Sequence, residues 1–338
     1  MAKRSTTRRT GIADVAKHAG VSHATVSRVM NGNFTVDPVI AQRVRDSAAE
    51  LKYYPNSVGR SLALGKTDTI GVVVPDLGNP TFQAMLRGVS RAAAKDGYRV
   101  LIADSSEVLS EEAILAAEAR RRCDGVVLCA PRMSDAELQD LASSLHPLVL
   151  INRTIEIENT PSLSADYGQG IQELASYLVG LGHRRLAFLS GPEQSASNRL
   201  RVDGLAKFMA EHPEVELQTL AGGVSFAEGH ESVDRILASG ATAVLAFNDL
   251  VAMGLLSGLH EHGVAVPGEI SVTGFDDIPF ARYTTPPLTT AAVPITELGE
   301  AAWERMRSVL QEDEQVSLGT IFSPQVVVRG STGPVPRS

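Results

Sequence analysis

The sequence predicts an all-α helix-turn-helix head and an α/β core of two lobes with parallel doubly wound sheets. Three observations lead to this prediction. The chain has 338 residues, which is more than one ordinary core accommodates. Its first 66 residues are basic and show helical apolar spacing, whereas short β-rich runs alternate with helical stretches from Thr69 onward. This alternation starts again after Asp166, so the core requires two sheets.

The composition is that of a folded globular protein, with 43% hydrophobic and 21% charged residues. No apolar run approaches the roughly 18–20 residues that a membrane crossing needs, and the basic start MAKRSTTRRT lacks the apolar stretch of a secretory signal. The two cysteines, Cys123 and Cys129, exclude a disulfide scaffold and are expected to be reduced thiols in or beside a buried strand. We therefore expect a cytoplasmic protein.

Charge is distributed unevenly along the chain. Residues 1–66 contain eleven Lys or Arg and four Asp or Glu, a formal charge of +7, so the rest must carry −15 to reach the overall −8. A small basic module on an acidic body suits the binding of a polyanion. A solvated basic tail would give the same composition, so the pattern inside the module has to decide between the two interpretations.

The segment IADVAKHAGVSHATVSRVMN predicts two short helices separated by a tight turn. The first helix presents one apolar stripe, formed by Ile12, Val15, Ala16 and Ala19. Gly20 can end that helix with a positive φ, and Ser22 can cap the next one. Val21, Val26 and Val29 are predicted to pack back onto the stripe. In a helix-turn-helix motif this arrangement lays the second helix into the DNA major groove.

A third amphipathic helix is predicted to close the core of the head. Asp37 serves as its N-cap, and Pro38 occupies its first position. Its predicted apolar face comprises Val39, Ile40, Val44, Ala48 and Leu51. An ordinary three-helix bundle would share this pattern, but the basic balance and the small polar residues at the outer start of the second helix favour DNA binding.

The runs DVAKHAGVSHATVSRVMNG and YYPNSVGRSLALGKTDTIGVVVPD resemble the lactose-repressor (LacI/GalR) family of bacterial transcription regulators, and the resemblance extends almost to the carboxyl end. It implies a ligand-responsive regulator, chiefly a repressor, that binds a palindromic DNA operator as a homodimer. It also implies a periplasmic-binding-protein-like core, whose interlobe cleft takes a small-molecule effector of the carbohydrate class. Such a protein would be associated with the nucleoid.

The resemblance assigns DNA contacts to the second helix. His23, Ala24 and Arg28 occupy its base-reading positions, and Arg28 can donate a bidentate pair to guanine. The residues placed for phosphate contacts are Ser22, Thr25, Ser27 and Asn31. The lactose repressor carries larger polar residues at the two positions before the Thr, so its operator sequence does not transfer to this chain.

Residues 55–67 correspond to the family's hinge, a short helix that folds when two copies meet in the minor groove. Leu62 stands at the position of the leucine that wedges between base pairs, with Asn56 as N-cap and Arg60 near phosphate. Gly59 replaces an alanine common in relatives and should make the helix more dependent on DNA. From composition alone the segment is a passive linker.

The predicted domains are a head over residues 1–54, the hinge, an effector-binding and dimerisation core over 68–330, and a disordered tail over 331–338. Lobe 1 is predicted to comprise about 68–163 and 292–322, and lobe 2 about 164–291 and 323–330. The predicted buried strands are 70–75, 98–104, 125–131, 147–152, 185–191, 242–248 and 270–276. Several of them end in polar residues, which would line one cleft between the lobes.

By resemblance, Arg201 takes the position of the family's effector-binding arginine, with Ser197 nearby, and Asn248 and Asp276 match positions that hydrogen-bond the effector. A guanidinium fork suits vicinal hydroxyls, a carboxylate or a phosphate. Further candidates, including two aromatic side chains, are Phe82, Phe226, Asn152, Arg153, Asp104 and Asp166. Two structural alternatives remain open: Asp276 could simply cap a following segment, and lone phenylalanines such as Phe82 and Phe226 usually lie in the core.

No motif supports catalysis, a cofactor or a metal. The chain has no GxxxxGK[ST] run, no GxGxxG after a predicted strand, no GxSxG elbow, and no HExxH or CxxC pattern. A solute-binding protein and a sugar- or nucleotide-converting enzyme on the same two-lobed fold remain as alternatives. The heptad tail that makes the lactose repressor a tetramer has no counterpart, so a dimer is expected.

Overall fold

The computed structural model describes residues 10–30, 35–53, 65–313 and 319–335. The chain divides into two compact units, residues 1–67 and residues 68–338. No helix in these ranges is both long and apolar enough to cross a membrane.

The first unit contains the predicted helices, α1 (Ile12–Ala19), α2 (His23–Met30) and α3 (Pro38–Glu50). Gly20 ends α1 with a φ of 66°, where a side chain would add strain. The Ser22 Oγ accepts the Thr25 amide at 3.1 Å, and the Asp37 Oδ1 accepts the amides of Val39 and Ile40 at 2.8 and 3.2 Å. These caps confirm the predicted helix starts.

The core of this unit is small and built from alanine and valine. Its buried members are Val15, Ala16, Ala19, Val26, Val29, Ala41, Val44 and Ala48. The prediction that Val39 belongs to it is wrong, because this side chain is 74% exposed. Helix α3 turns Ala41 and Val44 inward instead, so its buried stripe starts two residues later than the apolar pattern suggested.

Lobe 1 of the second unit is a six-stranded sheet in which every pairing is parallel, in the order β11-β5-β4-β3-β1-β2. Its strands are β1 (Thr69–Val74), β2 (Arg99–Asp104), β3 (Gly125–Cys129), β4 (Leu148–Ile151), β5 (Ser162–Ala165) and β11 (Gly319–Phe322). Its helices are α4 (Pro80–Lys95), α5 (Leu109–Arg122), α6 (Asp135–Leu145) and α12 (Ile295–Leu310).

Lobe 2 repeats this topology in the order β12-β10-β9-β8-β6-β7, with only the β10–β12 pair antiparallel among the described strands. Its strands are β6 (Arg185–Ser190), β7 (Glu216–Ala221), β8 (Ala243–Ala246), β9 (Ser271–Asp276), β10 (Thr289–Ala292) and β12 (Gln325–Val327). Its helices are α7 (Tyr167–Gly180), α8 (Ala196–Glu211), α9 (Phe226–Glu231), α10 (Val233–Ser239) and α11 (Asp249–Glu261).

The predicted helix-turn-helix head and the two-lobed α/β core are confirmed by this architecture, while most of the predicted hinge helix lies outside the described residues. The chain passes between the sheets three times: after β5, after β10, and between β11 and β12. The largest apolar cluster accordingly runs through both lobes, from Met85 and Val89 in lobe 1 to Phe188 and Phe275 in lobe 2. The two sheets therefore share a core, and their carboxyl ends meet at one cleft.

The expected disorder of the carboxyl-terminal tail is wrong for residues 331–335. Ser331 is fully buried, and its Oγ donates to the Val272 carbonyl and accepts the Thr289 amide. The Val335 amide donates to the Leu181 carbonyl at 3.0 Å. Hydrogen bonds from the Ser331 side chain and from the backbone to lobe 2, rather than apolar burial, order this segment, and composition alone does not reveal such bonds.

Candidate functional site

The outer face of α2 carries the predicted DNA-reading side chains. Because Val26 and Val29 point into the core, the opposite face is turned outward. Of the predicted residues, Ser22, His23, Ala24 and Arg28 are exposed, and Thr25 and Ser27 are half-buried. The predicted contacts Asn31, Asn56, Arg60 and Leu62 lie outside the described residues.

Ser22 serves the helix as well as the surface. Its hydroxyl caps the Thr25 amide and also lies 2.9 Å from the Thr25 Oγ1. This pair orders the start of α2, which is the part of a recognition helix that reaches base edges.

In the second unit, the carboxyl ends of both sheets enclose a cavity between the lobes. Its free volume is about 40 Å³, close to that of a single water molecule. From lobe 1 it is lined by Asp76, Asn79, Thr81, Phe82, Glu107, Ala130, Arg132 and Asn152. From lobe 2 it is lined by Tyr167, Ser197, Arg201, Val224, Phe247, Asn248 and Asp276. We call this cavity the interlobe cleft.

Arg201 is the cation that lobe 2 contributes to the cleft, and it is 1% exposed. Its guanidinium carbon lies 4.4, 4.6 and 4.0 Å from the ring centres of Tyr167, Phe247 and Phe275. Burial lowers the pKa of Arg201 to about 10, although Asp276 opposes this shift. The three aromatic faces and one carboxylate thus hold a charge that has been removed from water.

Asp276 lies at the tip of β9 and links the two lobes. Its Oδ2 accepts a hydrogen bond of 2.9 Å from the Thr81 Oγ1 at the start of α4. Burial raises the pKa of Asp276 to about 6, while Arg201 and Thr81 act in the opposite direction. The carboxylate of lobe 2 is therefore tied directly to lobe 1.

Two buried polar atoms on cleft residues have no partner among the described residues, the Asn152 Oδ1 and the Arg201 Nε. One is an acceptor and the other a donor. A hydroxyl group both donates and accepts, so it is the simplest chemical group that could satisfy both atoms.

The other predicted cleft residues divide into two groups. Ser197 and Phe82 line the cleft, and the Ser197 Oγ lies 2.9 Å from the Ser195 Oγ. Asn248 also lines it, but its Oδ1 caps the Val251 amide at 2.9 Å and its Nδ2 donates to the Val224 carbonyl. Asn248 is thus committed in part to building the start of α11.

Phe226 and Arg153 do not line the cleft. Phe226 is the first residue of α9, is 47% exposed and faces a separate surface groove, while Val224, two residues earlier, lines the cleft. Arg153 is turned into lobe 1, where it bonds the Asp135 carboxylate and the Pro131 carbonyl. Neither direction can be read from sequence spacing.

Asp104 and Asp166 also hold backbone. The Asp104 carboxylate accepts the amides of Leu77 and Ser106, and Asp166 caps the Gln169 amide. Both carboxylates thus bind backbone amides, and neither lines the cleft.

An ion pair on the lobe 1 wall was missed by the sequence analysis. Arg132, 6% exposed, donates from Nε and Nη2 to the two carboxylate oxygens of Glu107, both at 2.9 Å. Glu112 fixes this wall from behind by accepting the amides of Arg132 and Met133. The only available signal was charged residues just beyond strand ends, and that signal does not reveal a pair 25 residues apart.

The cleft has an excess of negative charge. Three carboxylates, on Asp76, Glu107 and Asp276, face two guanidinium groups, on Arg132 and Arg201. With all five ionised the sum is −1, and Arg132 is already neutralised by Glu107. An anionic group entering the cleft would therefore meet a net negative charge.

Two family profiles match this chain. Residues 11–56 match the bacterial regulatory proteins of the lacI family, and residues 175–332 match a periplasmic binding protein-like domain.

Relatives resemble the chain over nearly its whole length. The HTH-type transcriptional regulator GalS of Salmonella typhimurium is 33% identical over 95% of this chain and 96% of its own. The regulator GalR of Escherichia coli is 32% identical over 95% of each chain.

Solved structures match as well. A lac repressor dimer bound to operator and the anti-inducer ONPF covers 96% of this chain and 100% of its own, at 26% identity and a TM-score of 0.85. A LacI family regulator of Enterococcus faecium with bound ribose covers 79% of this chain and 99% of its own, at 29% identity and a TM-score of 0.69.

Proposed function

The chain belongs to the lacI family of bacterial regulatory proteins and is a DNA-binding transcriptional regulator rather than an enzyme; on that premise we propose which residues read its operator and which class of effector controls it. The alternatives of a solute-binding protein and a sugar- or nucleotide-converting enzyme are not favoured, because the relatives matched over the whole length are regulators.

The operator is read by α2. The exposed His23, Ala24 and Arg28 contact base edges, and Ser22, Thr25 and Ser27 set the register on phosphates. The formal charge of +7 on residues 1–66 supports this assignment, because phosphate neutralisation supplies most of the affinity for any duplex. Two heads of a homodimer require an operator with two-fold symmetry.

The effector is an uncharged polyhydroxyl compound, such as a sugar. The observation that carries this assignment is the unpartnered pair in the cleft, the acceptor Asn152 Oδ1 and the donor Arg201 Nε. The negative excess in the cleft disfavours phosphorylated and carboxylated compounds. The solved relative with bound ribose agrees with this chemistry.

Effector binding requires the lobes to rearrange. The free volume of about 40 Å³ does not admit a sugar while the Thr81–Asp276 hydrogen bond holds the lobes together. A ligand that fits only a different lobe arrangement shifts the population toward it. Residues 55–67, which carry Asn56, Arg60 and Leu62, are the segment through which such a shift reaches the head.

The test is a thermal-shift screen with matched pairs of compounds. D-ribose, D-glucose and D-galactose are each compared with a phosphate ester of the same sugar. A neutral member is expected to raise the melting temperature, since a compound at 100 times its Kd stabilises the native state by about 2.7 kcal/mol. A larger shift with the phosphorylated member of any pair would contradict the assignment.

Variants locate the response in the cleft. Arg201→Met should abolish the shift produced by the neutral sugar, because it removes the unpartnered donor. The matched control is Arg199→Met on the same helix, whose exposed guanidinium bonds only loop carbonyls. Equal loss in both variants would argue against a role for Arg201 in the cleft.

A further inference from the structure

The turn that follows β9 is strained at two consecutive residues. Asp276 has a φ of 105° and Asp277 a φ of 57°, in the region that residues with a Cβ rarely adopt. Because of this backbone, Asp276 faces the cleft whereas Asp277 is not among the cleft residues. Such a conformation persists only where surrounding contacts impose it.

One of these contacts comes from α11. Asp249 is fully buried, and its Oδ2 accepts the Ile278 amide at 2.8 Å while its Oδ1 accepts the Thr290 hydroxyl at 2.6 Å. Gly274 makes room for it, because a Cβ there would lie 2.1 Å from the Asp249 Oδ1. The end of the turn is thereby fixed.

The other contact comes from the carboxyl-terminal segment, residues 329–335. Arg329 donates from Nη2 to the Asp277 Oδ1 at 2.6 Å and from Nη1 to the Leu288 carbonyl at 2.7 Å. Its backbone amide donates to the Thr289 Oγ1 at 2.9 Å. The guanidinium is therefore clamped between the start of β10 and the middle of the strained turn.

We propose that Arg329, which does not line the cleft, is a positioning residue for it: by binding Asp277, it holds the neighbouring Asp276 carboxylate in the cleft. This proposal rests on the proposed function in one respect, because it assumes that the effector binds in the cleft. It makes the carboxyl-terminal segment part of effector recognition although the segment lies outside the cavity.

The titration of Asp276 reports its position without any effector. The groups that face it are Arg201 from α8, Tyr167 from α7, Asp249 from α11 and Thr81 from α4, with Asp277 beside it in the chain. While Asp276 stays among them its pKa is raised, so its ionisation reduces stability as the pH rises from 5 to 7. An Asp276 released to solvent loses this effect.

The experiment is a double-mutant cycle on the full-length protein, read as melting temperature at pH 5 and pH 7. In the wild type, Asp276→Asn should raise the melting temperature more at pH 7 than at pH 5. In Arg329→Met this pH-dependent gain should disappear. Asp277→Asn should reduce the gain, because it removes the charge of the same ion pair while keeping an acceptor oxygen and tolerating a positive φ.

Two experimental results distinguish the positioning of Asp276 by Arg329 from other roles of Arg329. If Arg329 acted only as a nearby charge, its removal would raise the pKa of Asp276 further and enlarge the gain. The structural control is Ser331→Ala, which removes two buried hydrogen bonds in the same segment. It should lower the melting temperature but keep the gain.

The proposal is overturned if Asp276→Asn still gives the full pH-dependent gain in melting temperature in both the Arg329→Met and the Asp277→Asn background. It is also overturned if Asp276→Asn gives no such gain in the wild-type background, or if the gain is lost in Ser331→Ala. None of these outcomes depends on operator binding or on the identity of the effector. The positioning role and the proposed function can therefore fail separately.

Discussion

At the residue scale, Arg28 is expected to contribute more to the binding of the operator than to the binding of random DNA. It is exposed near the end of α2, where a guanidinium can reach guanine O6 and N7. We expect Arg28→Ala to weaken operator binding by about 1–3 kcal/mol, with a smaller loss on random duplex. Fluorescence anisotropy with both DNAs at fixed salt measures the difference. Equal losses on the two duplexes would assign Arg28 to phosphate contact instead.

Asp276 makes the stability of the core depend on pH. Burial raises its folded-state pKa to about 6 from the ordinary value of 3.8. Its contribution to stability is thus complete below pH 4 and is lost as the pH rises through 6. Asp276→Asn removes this dependence. The free energy of unfolding of the variant minus that of the wild type should be roughly 1–3 kcal/mol larger at pH 7 than at pH 4. Urea unfolding at both pH values tests this, and parallel profiles for the two proteins would refute it.

The direction of individual side chains decides which of the predicted residues line the cleft. Four predicted residues line it: the pattern of strand tips indicated Asp276 and Asn152, and the family resemblance indicated Arg201 and Ser197. The prediction that Phe226 lines the cleft is wrong. Val224 lines the cleft, whereas Phe226, two residues later at the start of α9, faces a surface groove. Only the packing of α9 against α11 sets that direction.

At the scale of elements, the bond between α4 and the β9 turn keeps the cleft closed. Thr81→Val is isosteric but cannot donate to Asp276, and a hydrogen bond to a charged group contributes about 1.5–3 kcal/mol. We expect the core to open, seen as a larger radius of gyration by small-angle X-ray scattering without effector. Thr81→Ser keeps the hydroxyl and should scatter like the wild type. Identical curves for Val and Ser would exclude this role.

Strands were predictable where the chain carries a continuous apolar run. The runs that became β1, β3, β4, β6, β8 and β9 are continuous because helices cover both sides of the parallel sheets. The strands β5, β7, β10 and β11, with sequences SLSA, ELQTLA, TTAA and GTIF, were missed. β5 and β10 are buried between neighbouring strands, but their small and hydroxyl side chains form no apolar run.

At the scale of the whole molecule, the homodimer needs an apolar face, and lobe 1 offers one at the edge strand β2. Leu101 and Ile102 are exposed there, and Val108, Leu109 and Ile114 are exposed at the start of α5. Apolar side chains at a sheet edge favour contact with another chain. We therefore expect the dimer contact of lobe 1 to lie on this face.

Ile102→Asp should therefore weaken the dimer and, with it, operator binding. The control is Ile321→Asp on β11, the opposite edge of the same sheet, where the side chain is 66% exposed compared with 46% for Ile102. Sedimentation equilibrium should show a monomer fraction only for Ile102→Asp. Dissociation by Ile321→Asp alone would move the contact to the other edge.

Features that depend on near neighbours in the chain can be predicted from the order of its residues. The head helices follow from the Gly20 turn and the caps Ser22 and Asp37, and the parallel strands follow from apolar runs ending in polar residues. The tertiary structure decided which distant groups meet: Arg132 with Glu107, Thr81 with Asp276, and Arg329 with Asp277. Caps and periodicity act within a few residues and leave their mark in local spacing. Contacts between segments 25 to 195 residues apart are fixed only when the sheets stack and the lobes close, so no local pattern encodes them.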